Sequence, residues 1–108
     1  MNEVDKKTAT IRLNDAFRRT FVGGRIVLTR GMIALDIELR REIIRAVQAY
    51  AAWESGNDQH DFGAVQIQGQ KVTWKISYFD MQLLQESPDP SDPKVTRREL
   101  TIMLASDS

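Results

Sequence analysis

Gly56-Asn57-Asp58-Gln59-His60-Asp61-Phe62-Gly63-Ala64-Val65-Gln66-Ile67-Gln68-Gly69-Gln70-Lys71-Val72-Thr73-Trp74-Lys75-Ile76-Ser77-Tyr78-Phe79-Asp80 reads as an acidic loop holding the chain's only histidine, followed by a β-hairpin. With Gly69 and Gln70 as the turn, glycine takes the first central position, where a type II′ turn needs φ > 0. Ile67 then faces Val72, Val65 faces Trp74, Gly63 faces Ile76 and Asp61 faces Tyr78. By the period of two, Val65, Ile67, Val72, Trp74, Ile76 and Tyr78 share one face, and Gln66, Gln68, Thr73, Lys75 and Ser77 share the other. One apolar and one polar face describe an antiparallel sheet covered by helices on one side. Phe79 breaks the alternation.

Outward from the hairpin, Leu13, Phe17 and Phe21 recur at helical spacing after Thr8 or Thr10 as a cap, and Gly23-Gly24 ends that helix. Arg25 to Leu28, with Ile33 and Leu35 beyond Gly31, reads as a strand broken at the glycine. Asp36 caps a second helix, with Glu38 in its first turn and a stripe of Leu39, Ile43, Val47 and Tyr50, closed by Gly56. Met81 to Thr96 is irregular. Leu100, Ile102 and Leu104 alternate as a last strand, while the helix propensity of Arg97 to Ala105 keeps a helix as the competing reading. The order α-β-α-β-β-β closes as a two-layer α+β sandwich, about four antiparallel strands with two helices on one face. Tyr50 and Trp53 are placed against Trp74 as core.

At 108 residues and 42% hydrophobic content the chain has the length of one domain, residues 1–108. The absence of cysteine excludes disulfides and thiolate-ligated metals. No apolar leader or membrane-length run occurs, so a cytoplasmic location is expected and no membrane partner. Fifteen basic and fifteen acidic residues cancel, which disfavours direct binding of nucleic acid. Residues 1–55 carry 10 Lys/Arg against 7 Asp/Glu and residues 56–108 carry 5 against 8, a split ordinarily made by two solvated faces.

Two stretches could carry chemistry. His60 lies among Asp58, Asp61 and, through the hairpin register, Asp80. An imidazole among carboxylates is a general base or a ligand for a hard cation. The plainer reading is that these side chains cap backbone between a helix end and a strand start. His60, Asp61 and Asp80 are therefore candidate catalytic residues without an assigned reaction. The residues call for no cofactor and no resident metal, and binding is favoured over catalysis. The second stretch is Ser87-Pro88-Asp89-Pro90-Ser91-Asp92-Pro93, whose prolines favour a semi-rigid excursion. It reads equally as a recognition surface and as edge cover. Asp89 and Asp92 with Arg97 and Arg98 are the candidate binding residues, expected to form an ion-pair network. Lys71 and Lys75 beside Trp74 do not make a nucleic-acid stacking platform, because the register turns Trp74 inward.

The segments His60-Asp61-Phe62-Gly63, Trp74-Lys75-Ile76 with Tyr78 and Asp80, Ser87-Pro88-Asp89-Pro90 with Asp92-Pro93, and Thr96-Arg97-Arg98 before Leu100-Thr101-Ile102-Met103-Leu104-Ala105 resemble a small uncharacterised bacterial domain-of-unknown-function family. Leu13-Asn14-Asp15 and Leu28-Thr29-Arg30-Gly31 fit the same pattern. The chain departs from it at Gln59 and Ser77, where the family carries acidic residues. The resemblance implies carriage on plasmids and prophages. It implies a protein-binding accessory or anti-defence factor, for example an inhibitor of a host CRISPR or restriction system. The alternative is a metal-dependent hydrolase or nuclease using His60 and nearby carboxylates.

Overall fold

The computed structural model describes residues 1–57 and 59–107. Its elements are α1 (Glu3–Thr20), β1 (Gly24–Leu28), α2 (Arg30–Ala34), α3 (Ile37–Gln48), β2 (Phe62–Ile67), β3 (Gln70–Phe79), β4 (Arg97–Leu104) and a closing 3₁₀ turn, Ala105–Asp107. The fold is α+β, a four-stranded sheet in the order β1-β4-β3-β2.

α1 begins earlier than its threonines suggest. Asn2 Oδ1 accepts from Asp5 N–H at 2.8 Å, so Asn2 is the cap. The Thr8 and Thr10 hydroxyls instead donate to the carbonyls of Val4 and Lys6, as interior helical threonines do. The helix ends at Phe21, which is left-handed with φ 60°. β1 does not resume beyond Gly31. The one-turn helix α2 follows and buries Met32 against β4, while the Thr29 hydroxyl donates to an Asp107 carboxylate packed over Gly31. Asp36 caps α3 as expected, accepting from Glu38 N–H at 3.1 Å. α3 stops at Gln48 and not near Gly56, because leaving the helix lets Tyr50 and Trp53 turn edge-on to Trp74, with ring centroids 5.3 and 6.0 Å away.

The hairpin turns on Gln68 and Gly69, at φ 49° and 79°, the two positive φ values of a type I′ turn. Ile67 pairs with Gln70, Val65 with Val72 and Gly63 with Trp74, a slip of two residues from the expected register. A slip of two preserves the faces, so Val72, Trp74 and Ile76 still point inward. Gly63 fits that slip: a Cβ there would lie 2.7 Å from the Trp74 indole nitrogen and 2.8 Å from the Tyr50 ring.

Arg97–Leu104 is a strand and not a helix, with Leu100, Ile102 and Leu104 buried in alternation. The sheet is mixed where an antiparallel one was expected. β1 pairs parallel to β4, Gly24 opposite Arg98 through Leu28 opposite Ile102. A parallel pair needs a long crossover, and everything from α2 to β3 supplies it. Phe17, Met32, Ile43 and Val47 from the helices close over Val72, Trp74, Ile76, Leu100 and Ile102. The other face, with Thr73, Lys75, Ser77, Thr101 and Met103, is not covered by the helices.

Candidate functional site

The polar chemistry collects where α1 crosses the ends of β3 and β4. α1 lays Thr10, Asn14 and Arg18 inward beside Phe17, all buried. Asn14 is fully used: its amide donates to Gln59 O at 2.9 Å and to the Tyr78 hydroxyl at 2.7 Å, and its carbonyl accepts from Arg98 Nε at 2.7 Å. The Tyr78 hydroxyl donates onward to Asp61 at 2.9 Å. Burial, with the neighbouring Asp61 charge, raises the Tyr78 hydroxyl far above its ordinary range, against the Asn14 hydrogen bond, so the phenol stays protonated. Arg98, 4% exposed, also donates to Pro90 O and lies over the Tyr78 ring at 5.3 Å. Burial lowers its guanidinium from the usual value.

The next residue of α1, Asp15, joins the second half. It accepts from Arg18 at 2.9 Å and from His60 Nδ1 at 3.1 Å. A carboxylate only accepts, so in this contact the ring nitrogen is the donor. Burial raises the Asp15 carboxyl, but the hydrogen bonds and charges of Arg18 and His60 outweigh it and hold the group below the usual carboxylate value. The His60 ring stacks on Trp53, centroids 3.8 Å apart and 5° from parallel, and Arg18 sits 4.9 Å from the same indole. His60 is held at φ 55°, in the left-handed region.

His60 and Asp61 are therefore neighbours in one network but bind different partners, Asp15 and Tyr78. Asp80 does not join them. It lies four residues beyond Ile76, the residue whose N–H meets Asp61 O, about 13 Å along the strand. Its carboxylate accepts from Leu84 N–H at 3.0 Å and staples the loop after β3. The slip of the hairpin register accounts for the separation. Asp58 lies outside the described residues. Among the described residues no three His, Asp or Glu side chains gather as a metal site would need.

The expected ion-pair network of the proline segment is replaced by local turns. Asp89 accepts from the amide and hydroxyl of Ser91, which lower its carboxyl, and Asp92 accepts from Lys94 N–H. Arg97 donates to Met81 O at 3.1 Å, and Arg98 takes Asn14 and Pro90 as above. Ser87 and Thr96 hydroxyls, 2.7 Å apart, tie the two ends of the excursion together.

A further surface has no counterpart in the sequence reading. The loop after β3 turns back through Asp80 N–H to Gln85 O and Leu83 N–H to Asp80 O, with Leu83 at φ 60°. This turn holds Met81, Leu83 and Leu84 in water, Leu84 84% exposed. Met81 and Leu83 line a groove of about 430 Å³ with Gly23, Gly24 and Arg97, and exposed Val22 adjoins it in sequence. Arg25 and Glu99, ion-paired across β1 and β4, form its charged rim.

No helix is long and apolar enough to cross a membrane among the described residues. No curated protein and no solved structure matches the chain. A family described as "Protein of unknown function (DUF3768)" matches residues 28–107, from the end of β1 through the 3₁₀ turn. His60, Asp61, Tyr78 and Arg98 fall inside that match, whereas α1, with Leu13, Asn14, Asp15 and Arg18, precedes it. The chain belongs to this family of unknown function, DUF3768.

Proposed function

We propose that this domain is a protein-binding module whose contact face is the apolar surface of Val22, Met81, Leu83 and Leu84. The observation that carries the reading is Leu83. A leucine in the left-handed region is strained, and the strain is maintained by an Asp80 staple that holds apolar side chains in solvent instead of in the core. Exposed apolar patches with a charged rim are the usual mark of a protein contact. Preorganising the loop lowers the entropy lost on binding. The polar network of Asn14, Asp15, His60, Tyr78 and Arg98 is, on this reading, the frame that fixes the loops at this end of the sheet.

An accessory or anti-defence role in the cytoplasm, acting on a protein of a host CRISPR or restriction system, is the sharpest form of the proposal. It rests on the company such domains keep and not on a residue. The hydrolase alternative draws less support, because His60 is engaged by Asp15 and Trp53, and Asp61 by Tyr78.

The test uses immobilised parent protein and its Leu84→Asp variant against lysate of a natural host, followed by calorimetry with each purified captured protein. A partner that binds the parent and loses at least tenfold affinity for Leu84→Asp supports the proposal. Equal binding by both proteins removes it.

A further inference from the structure

β2 ends the sheet on its side, and the phase of its ladder decides which backbone groups are spare. Ile76 N–H donates to Asp61 O at 2.7 Å, so Asp61, Gly63, Val65 and Ile67 turn their amides toward β3. Phe62, Ala64 and Gln66 turn theirs outward. Asn57 Nδ2 covers the Phe62 carbonyl at 2.6 Å. Among the described residues, the outward amides of Ala64 and Gln66 have no hydrogen-bond partner.

Natural edge strands are guarded by lysine, proline or a bulge. From Phe62 to Gln70 there is no charge and no proline, and the register with β3 is unbroken. β1, the opposite edge, carries exposed Arg25.

We infer that the β2 edge is a self-association surface, on which a second copy of this chain adds its own β2 antiparallel about a two-fold axis at Gln66. The result is one continuous sheet of eight strands with the helices of both copies on the same side. A two-fold axis sets the residue on it against itself and every other residue against a reciprocal partner, so a charge at position 66 would meet its like. Glutamine does not have that difficulty, since its amide both donates and accepts and Gln66 can pair with its own copy. The axis at Gln66 sets Ala64 opposite Gln68 of the second copy and leaves the Asn57 contact to Phe62 untouched. With fifteen basic and fifteen acidic residues, two copies approach without net repulsion. This surface lies on the opposite edge of the sheet from the Leu83 loop, so either can fail alone.

Sedimentation equilibrium across a wide range of concentration tests the inference. The mass of the parent is expected to rise from 12.3 kDa toward twice that value. Gln66→Lys, at an exposed position, is expected to stay at the monomer mass and to melt where the parent melts at its most dilute, because association itself stabilises by mass action. Amide exchange at Ala64 and Gln66 is expected to slow with concentration in the parent alone, and Leu84→Asp is expected to associate as the parent does. A parent that remains at 12.3 kDa throughout overturns the inference. So does undiminished association of Gln66→Lys, or association lost in Leu84→Asp and kept in Gln66→Lys.

Discussion

Asn14 on α1 and Arg98 on β4, 84 positions apart in the chain, are joined by a 2.7 Å hydrogen bond buried from water. Asn14→Ala leaves Arg98 Nε, the Tyr78 hydroxyl and Gln59 O each short of a partner. Buried unpaired groups cost about 1–3 kcal/mol each, and relaxation recovers part of the sum, so a loss of about 3 kcal/mol is expected. Urea denaturation checks it; a loss below about 1 kcal/mol would show that water fills the site.

Acid sensitivity should trace to Asp15. Its carboxyl is lowered on folding, so its contribution is fully present above the unfolded value of about 3.9 and is lost as pH falls through the lower folded value. Asp15→Asn lacks that contribution at neutral pH. Melting temperatures of parent and variant should differ most near pH 7 and converge below about pH 4. Parallel curves would contradict the assignment.

Two substitutions at His60 separate its backbone from its ring. Asparagine tolerates positive φ and keeps a polar group, so His60→Asn should cost about 1 kcal/mol, from the Trp53 stack and the Asp15 bond. A β-branched residue adds strain at φ 55°, and His60→Val should cost about 1–2 kcal/mol more. Equal losses in chemical denaturation would mean that the ring alone matters.

The hairpin turn can be improved. Gln68 occupies a left-handed position that asparagine favours, and Asn-Gly is the preferred type I′ pair. Gln68→Asn should add about 0.5 kcal/mol, after losing an exposed hydrogen bond to Glu42. Gly69→Val, at φ 79°, should destabilise in the same assay.

The period of two in β3 and β4 was legible because every inward position is apolar, and Trp74, Ile76, Leu100 and Ile102 are buried as their spacing indicates. The turn was not, because a glycine serves either II′ or I′ geometry and only the neighbouring φ decides. Asp36 announced α3, but Asn2 and α2 gave signals too short to separate from their surroundings. The site was hardest to see. Asn14 and Arg18 share a helix side with Phe17, yet burial of polar groups follows from partners on β3, β4 and the His60 loop that no local pattern displays. Asp61 was expected beside Asp80, and the two-residue slip separates them. The exposed leucines at 83 and 84 could have been noticed as apolar residues in an irregular segment, but their display depends on the Asp80 staple.

The parallel pairing of β1 with β4 also dictates an order of assembly. The β2–β3 hairpin closes over a few residues and can form locally, but among the described residues β1 has only β4 as a strand partner. On the ribosome, residues 24–28 must wait for residues 97–104 to emerge. Until then Phe17 and the inner face of the hairpin share no completed core. Contacts of such long sequence separation slow folding and prolong the exposure of apolar surface. β4 is thus the strand that joins β1 to the rest of the sheet.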